Sequence, residues 1–191
     1  MVKVAAIDCD QTVVDSAYPW YEWLELKTKA GYEYRDVCST YNFSDVYAEI
    51  WRDKEISGHP YDFWRGKNIY DNLYPLPGSV EALAALKERG WDIVFVSTIK
   101  GDHHKSKYNF LKKHFPFMDG FIATKEKGYV NARLVIDDRN SCLNLFGEDV
   151  IKIKKVTPFD QDVALNGDGA FASFNYWSTF KAYIKNGTFD F

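Results

Sequence analysis

The sequence predicts an α/β fold, a doubly wound parallel sheet with a small helical cap inserted after the first strand. Three observations carry this reading. Short Val- and Ile-rich runs recur along the chain and are apolar at consecutive positions, as in strands covered on both faces. Stretches with helical spacing lie between them, giving the strand–helix–strand rhythm of a parallel sheet. Residues 18–74 break that rhythm and hold fifteen of the chain's 33 aromatic residues.

The apolar runs fall at residues 2–7, 93–96, 120–123, 132–136 and 150–153. Ser79 is placed to cap a helix carrying Val80, Leu83 and Leu86, which stops at Gly90. Tyr108, Leu111 and Phe115 mark a second helical face, and Ser141 opens a short helix ending at Gly147. Within the aromatic segment, helical stretches cover 18–29 and 45–53, and Pro75, Pro77 and Gly78 mark the return to the core. The expected division is a catalytic core of 1–17 and 75–191 and a cap of 18–74.

At 191 residues the chain suffices for one core with a modest insertion. Its net charge of −3 offers no broad basic surface for nucleic acid or anionic membrane. Three scattered cysteines, Cys9, Cys38 and Cys142, suit a reducing compartment rather than a disulfide framework or a CxxC metal site. The chain reaches Asp8 before any run of signal-peptide length, and no stretch approaches the ~20 apolar residues of a membrane helix. A cytoplasmic protein is expected.

The chemistry concentrates at strand ends. The first strand runs into Asp8-Cys9-Asp10-Gln11-Thr12, and the fourth into Asp137-Asp138-Arg139. In open α/β sheets, ligands bind outside the carboxyl ends of the strands. An isolated Asp-x-Asp reads equally well as a turn or cap, but two acidic pairs, each directly after a buried strand, point to a site. If those strands are neighbours, four carboxylates crowd one edge, and like charges about 4 Å apart repel by roughly 4 kcal/mol at an effective dielectric of 20. A cation or partial protonation must relieve that, and all-oxygen ligation beside a phosphate suits Mg²⁺. Ser97 and Thr98 close another strand and could hold phosphate oxygens. Lys100, Lys105, Lys107, Lys125 and Lys127 fall between the second and fourth strands as candidate cations.

Taken together, these elements resemble the haloacid dehalogenase (HAD) superfamily: Asp8-x-Asp10-x-Thr12, then Ser97, a lysine, and the pair Asp137-Asp138. Within it the chain looks most like the 5′(3′)-deoxyribonucleotidases, through Trp64-x-x-Lys67-Asn68, Tyr70, Pro75-Leu76-Pro77-Gly78, Ile99-Lys100, Lys107-Tyr108, Thr124-Lys125-Glu126-Lys127 and Ile136-Asp137-Asp138-Arg139. The resemblance runs from about residue 3 to residue 140, with a tail match around Trp177. Gln11 stands where the family usually has Gly, Ser16 where an aromatic often lines the base pocket, and the loop after Thr98 is shortened.

The resemblance implies a phosphomonoesterase acting on nucleoside monophosphates. Asp8 would be the nucleophile and Asp10 the acid–base group, with a pKa lifted toward neutrality by neighbouring carboxylates. Mg²⁺ would be held by Asp8, the Asp10 carbonyl and Asp138, with Asp137 orienting its waters or a lysine. Ser97, Thr98 and Lys127 would bind phosphate, with Lys107 the alternative lysine, and Phe43 and Trp64 would stack on the base or simply form the cap's own core. The expected partner is a small-molecule substrate, not a membrane or polynucleotide, and a homodimer is left open. Three alternatives share parts of the pattern: a polynucleotide 3′-phosphatase, another small-metabolite HAD phosphatase, and a phosphoacceptor signalling domain. The first needs a basic track, and the last lacks an Asp-x-Asp at one strand end and a cap of this size.

Overall fold

Consecutive apolar residues make strands that need cover on both faces, and the sheet supplies it. The computed structural model describes residues 3–161, 163–167 and 170–188, so Val2 of the expected first strand lies outside the described residues. The strands are β1 Lys3–Ile7, β2 Trp91–Ser97, β3 Gly120–Ala123, β4 Leu134–Asp137, β5 Ile151–Lys155 and β6 Ala172–Phe174. They form one sheet in the order β3-β2-β1-β4-β5-β6, with every pairing parallel. On one face Ile7, Phe95 and Ile136 pack in a cluster with Leu83, Phe110 and Trp177. The opposite face buries Ala6, Val96 and Val135 against Leu143 and Phe146.

Seven helices accompany the strands among the described residues: α1 Ala17–Thr28, α2 Tyr34–Val37, α3 Phe43–Asp53, α4 Ser79–Glu88, α5 His104–His114, α6 Asn140–Leu143 and α7 Trp177–Lys185. Two 3₁₀ turns, Pro60–Arg65 and Lys127–Tyr129, join them. The expected cap of α4 is corrected. Gly78, at φ 82°, holds the cap position, and Ser79 is the first helical residue, its buried hydroxyl without a hydrogen-bond partner among the described residues. The left-handed turn after Pro77 demands glycine there and displaces serine by one. The sixth strand is also new, because three residues, Ala-Ser-Phe, carry too little pattern to be read alone.

The aromatic segment packs as its own cluster around Trp20, Leu24, Phe43, Tyr47 and Trp51, joined by Phe159 from the loop after β5. The chain leaves for this segment and returns side by side. Val14 bridges Pro75 in antiparallel fashion, and Leu76 N–H donates to the Val13 carbonyl at 2.7 Å. Trp177 supports this crossing from below, its indole N–H donating to the Thr12 carbonyl at 2.9 Å.

The strand order turns at β1 and β4, the switch point where crevices open in doubly wound sheets. Ile7 is in register with Ile136, so Asp8 and Asp137 leave the sheet together, and Asp8 N–H donates to the Ile136 carbonyl at 2.9 Å. Gly128 brings Lys127 to the same edge. A Cβ on Gly128 would sit 2.3 Å from the Leu145 carbonyl oxygen and 3.2 Å from the Leu145 side chain. Gly128→Ala should therefore destabilise the fold by about 1–3 kcal/mol, seen as a fall of several degrees in thermal melting. An unchanged melting temperature would contradict this packing.

Candidate active site

The chain turns sharply after β1, with Val13 N–H bonded to the Cys9 carbonyl at 2.9 Å. Gln11, where the resembled family has Gly, takes φ 59°, a left-handed conformation in which a side chain carries strain. Its amide donates to Asp15 Oδ1 at 3.0 Å, which also accepts from the Ala17 and Tyr18 N–H groups and so caps α1. This turn brings Thr12 back over the strand end, 3.3 Å from Asp8 Oδ2 and 3.4 Å from Asp138 Oδ1.

Two buried lysines pair with three of the four carboxylates. Lys127 Nζ lies 2.6 Å from Asp8 Oδ1 and 2.7 Å from Asp137 Oδ2. Lys107 Nζ, fully enclosed, lies 2.6 Å from Asp10 Oδ2 and 2.8 Å from Ser97 Oγ. The structure thus separates two lysines that sequence could not. Lys127 faces the cleft beside Asp8, whereas Lys107 sits behind Asp10 and does not line the cleft. Asp137 spends its other oxygen on the Arg139 N–H at 2.9 Å.

The titration of the site follows this division. Burial, reinforced by the charges of Asp137 and Asp10, raises Asp8 to about 6 against the pull of Lys127. Burial and the charges of Asp137 and Asp8 push Asp138 well above the usual carboxylate range. Burial also acts on Asp10, but the Lys107 charge and hydrogen bonds from Lys107, Tyr70 and Ser16 more than offset it, and Asp10 titrates below its ordinary value. The expectation that neighbouring carboxylates lift Asp10 is therefore corrected. Its side chain turns away from them, into Tyr70 Oη at 2.5 Å and Ser16 Oγ at 2.8 Å.

Asp8, Asp137 and Asp138 each offer an oxygen within 4.8 Å of the others, and all three are buried. A shared, all-oxygen, under-compensated cluster fits a hard dication. The Asp10 carboxylate lies outside this group, which leaves only its backbone for a metal.

Above the carboxylates the cleft is walled by Trp20, Tyr41, Phe43, Tyr61, Trp64 and Phe159. Phe43 lines it but is 1% exposed and stacks on Trp20 at 5.0 Å. Trp64 meets Trp20 edge-on at 5.5 Å, and its buried indole N–H has no hydrogen-bond partner among the described residues. Ser97 and Thr98 reach the cleft, although the Thr98 hydroxyl is already given to the Thr124 carbonyl at 3.3 Å. Sequence reasoning missed Tyr41, whose hydroxyl donates to Asp138 Oδ2 at 2.8 Å, and the roles of Tyr70 and Ser16 on Asp10. No local pattern signals these contacts, because the partners are far apart in sequence or, for Ser16, hidden in a turn.

The family described as 5′ nucleotidase, deoxy (pyrimidine), cytosolic type C protein matches residues 3–159. The mouse and human mitochondrial 5′(3′)-deoxyribonucleotidases are 32% and 33% identical to this chain over 90 residues. That stretch is 44% of this chain and spans only 41% and 40% of the length of those two relatives. A haloacid dehalogenase-like family hydrolase from Xanthomonas campestris shares the fold, with a TM-score of 0.59 at 12% identity over 97% of this chain and 95% of that one. No helix among the described residues is long and apolar enough to cross a membrane.

A carboxyl group that prefers its proton in the fold destabilises the protein once ionised. Asp8 is raised from 3.8 to about 6, so its stabilising contribution is complete below 3.8 and lost as pH rises through 6. Asp8→Asn should therefore be more stable than the wild type in EDTA at pH 7.5, by on the order of 2–3 kcal/mol. The difference should shrink as pH falls below about 6, checked by urea unfolding across pH. A variant less stable than wild type at pH 7.5 would contradict the strain assigned to Asp8.

Proposed function

Since the chain belongs to the family of deoxy (pyrimidine) cytosolic type C 5′-nucleotidases, we propose that it is a Mg²⁺-dependent phosphomonoesterase of the 5′(3′)-deoxyribonucleotidase type, hydrolysing nucleoside monophosphates through an Asp8 nucleophile. One observation carries the reading. Asp8 lies beside a buried cationic lysine and two further carboxylates, at the floor of an aromatic-walled cleft at the sheet's switch point. The division into a core of 1–17 and 75–191 and a cap of 18–74 is part of the proposal, supported by the separate aromatic cluster and the paired exit and return at Val14 and Pro75.

In the first step an Asp8 carboxylate oxygen bonds to phosphorus while the bond to the nucleoside oxygen breaks, and that oxygen takes a proton from Asp10. In the second, water attacks phosphorus, Asp10 takes the water's proton, and the bond to Asp8 breaks. The lowered pKa keeps Asp10 ionised in the free site, the form that can accept a proton in the second step. An incoming phosphate dianion, a like charge beside Asp10, would raise it for the first. Lys127 holds phosphoryl oxygens together with Ser97, and Thr98 lines the same wall. Lys107, Tyr70 and Ser16 aim the Asp10 carboxylate.

Mg²⁺, when bound, would neutralise phosphate charge and relieve the carboxylate cluster. Asp8, Asp138 and the Asp10 carbonyl would hold it, while Asp137 orients Lys127 at 2.7 Å. Trp64, half-buried on the cleft wall, would meet the base, and Phe43 would back that surface through its stack on Trp20. The three free thiols fit a reducing compartment such as the cytoplasm.

The test is phosphate release from a panel of deoxynucleoside, ribonucleoside and sugar monophosphates, with Mg²⁺ and with EDTA, for wild type and Trp64→Ala. Metal-dependent release favouring nucleotides is expected. Trp64→Ala should raise KM for nucleotides much more than for p-nitrophenyl phosphate. Activity confined to sugar phosphates would remove the nucleotide reading, and equal KM effects on both substrates would make Trp64 part of the cap's own core.

A further inference from the structure

Tyr41 lies in the aromatic segment, between α2 and α3, yet its hydroxyl reaches a carboxylate at the end of β4, 97 residues further along. It donates to Asp138 Oδ2 at 2.8 Å and also lies 3.0 Å from the Asp138 backbone carbonyl. That hydroxyl is itself held. Gln161 Nε2 donates to it at 3.1 Å, and Thr157 Oγ1 lies 3.3 Å away. Lys154 completes the arrangement, pairing with Gln161 Oε1 at 2.7 Å and with the Asp138 carbonyl. The Tyr41 ring is fixed by Phe159 at 4.8 Å and by the Arg139 guanidinium 5.0 Å above its centre. Asp138 is therefore held by Tyr41 from the aromatic segment on one oxygen, while its other oxygen shares the Thr12 hydroxyl with Asp8 at the longer distance of 3.4 Å.

We infer that Tyr41 is a positioning residue for the metal site, fixing the Asp138 carboxylate so that cation affinity depends on the seating of the aromatic segment. The inference rests on the reading of Asp138 as a metal ligand. A carboxylate free to rotate must lose that freedom when a cation binds. One held by a directed hydrogen bond from a hydroxyl that is itself fixed has already lost much of it. Phe43, two residues on, lines the same cleft, so one short segment contributes both to the nucleoside-facing wall and to the orientation of the metal-binding carboxylate.

Tyr41→Phe removes the hydroxyl and keeps the ring contacts. The direct measurement is Mn²⁺ binding without substrate, followed by the electron paramagnetic resonance signal of free Mn²⁺, for wild type, Tyr41→Phe, Tyr21→Phe and Asp138→Asn. Tyr21 is the control, since its hydroxyl serves the same segment by donating to the Tyr32 carbonyl at 2.8 Å. Tyr41→Phe should weaken Mn²⁺ about ten- to a hundredfold, Asp138→Asn at least as much, and Tyr21→Phe not at all. Wild-type affinity in Tyr41→Phe with affinity lost in Asp138→Asn would overturn this inference alone. Equal losses in Tyr41→Phe and Tyr21→Phe would also overturn it, by showing a general effect of the segment's stability. Unchanged affinity in Asp138→Asn would instead overturn the metal-ligand reading beneath it.

Discussion

Four carboxylates leave the carboxyl ends of two adjacent parallel strands, and two buried ammonium groups hold three of them there. The parallel register of β1 and β4 forces Asp8 and Asp137 together, and Asp10 and Asp138 follow within two residues. Repulsion among such groups in a poorly solvated pocket is several kcal/mol per close pair. Lys127 answers it for Asp8 and Asp137, and Lys107 for Asp10. Asp138 lies outside both of these pairs, accepts a hydrogen bond from Tyr41 and shares the Thr12 hydroxyl with Asp8. Burial, with the charges of Asp137 and Asp8, leaves it favouring the protonated form, an imbalance of charge in the cluster. The imbalance is what a dication would correct.

Much of this was legible in the sequence because buried parallel strands have a signature and their ends are known places for chemistry. Asp8, Asp10, Asp137 and Asp138 could be placed from the apolar runs that precede them. Other features depend on contacts that no local pattern records. The environment of Asp10 is reversed from expectation because Lys107 and Tyr70, 97 and 60 residues away, turn its side chain from the other acids. Ser16, read as the loss of an aromatic wall, is a donor to that same carboxylate. Lys107 and Lys127 could not be told apart in the sequence, and in the fold both are buried beside aspartates while Lys127 alone of the two lines the cleft.

The aromatic segment joins these electrostatics to recognition. Most of its rings serve its own packing, as the Trp20–Phe43 stack and the burial of Tyr47 and Trp51 show. It also touches the loop of residues 98–103, where Lys100 meets the Tyr61 hydroxyl, Gly101 abuts the Trp64 backbone, and His103 Nδ1 lies 3.0 Å from the Trp64 carbonyl. A side chain at Gly101 would strike the Trp64 carbonyl oxygen at 2.7 Å, so this approach requires glycine. Walls from both parts of the chain thus enclose the carboxylates, an enclosure that favours charge stabilisation by excluding water.

The central claim is that Asp8 carries the phosphoryl group during turnover. The most direct measurement quenches the reaction in acid, reduces any acyl phosphate with borohydride, and maps the product by peptide mass spectrometry. The account predicts homoserine at position 8, appearing only when substrate and Mg²⁺ are both present. An unmodified Asp8 under conditions of steady phosphate release, or the reduced residue at another position, would contradict it.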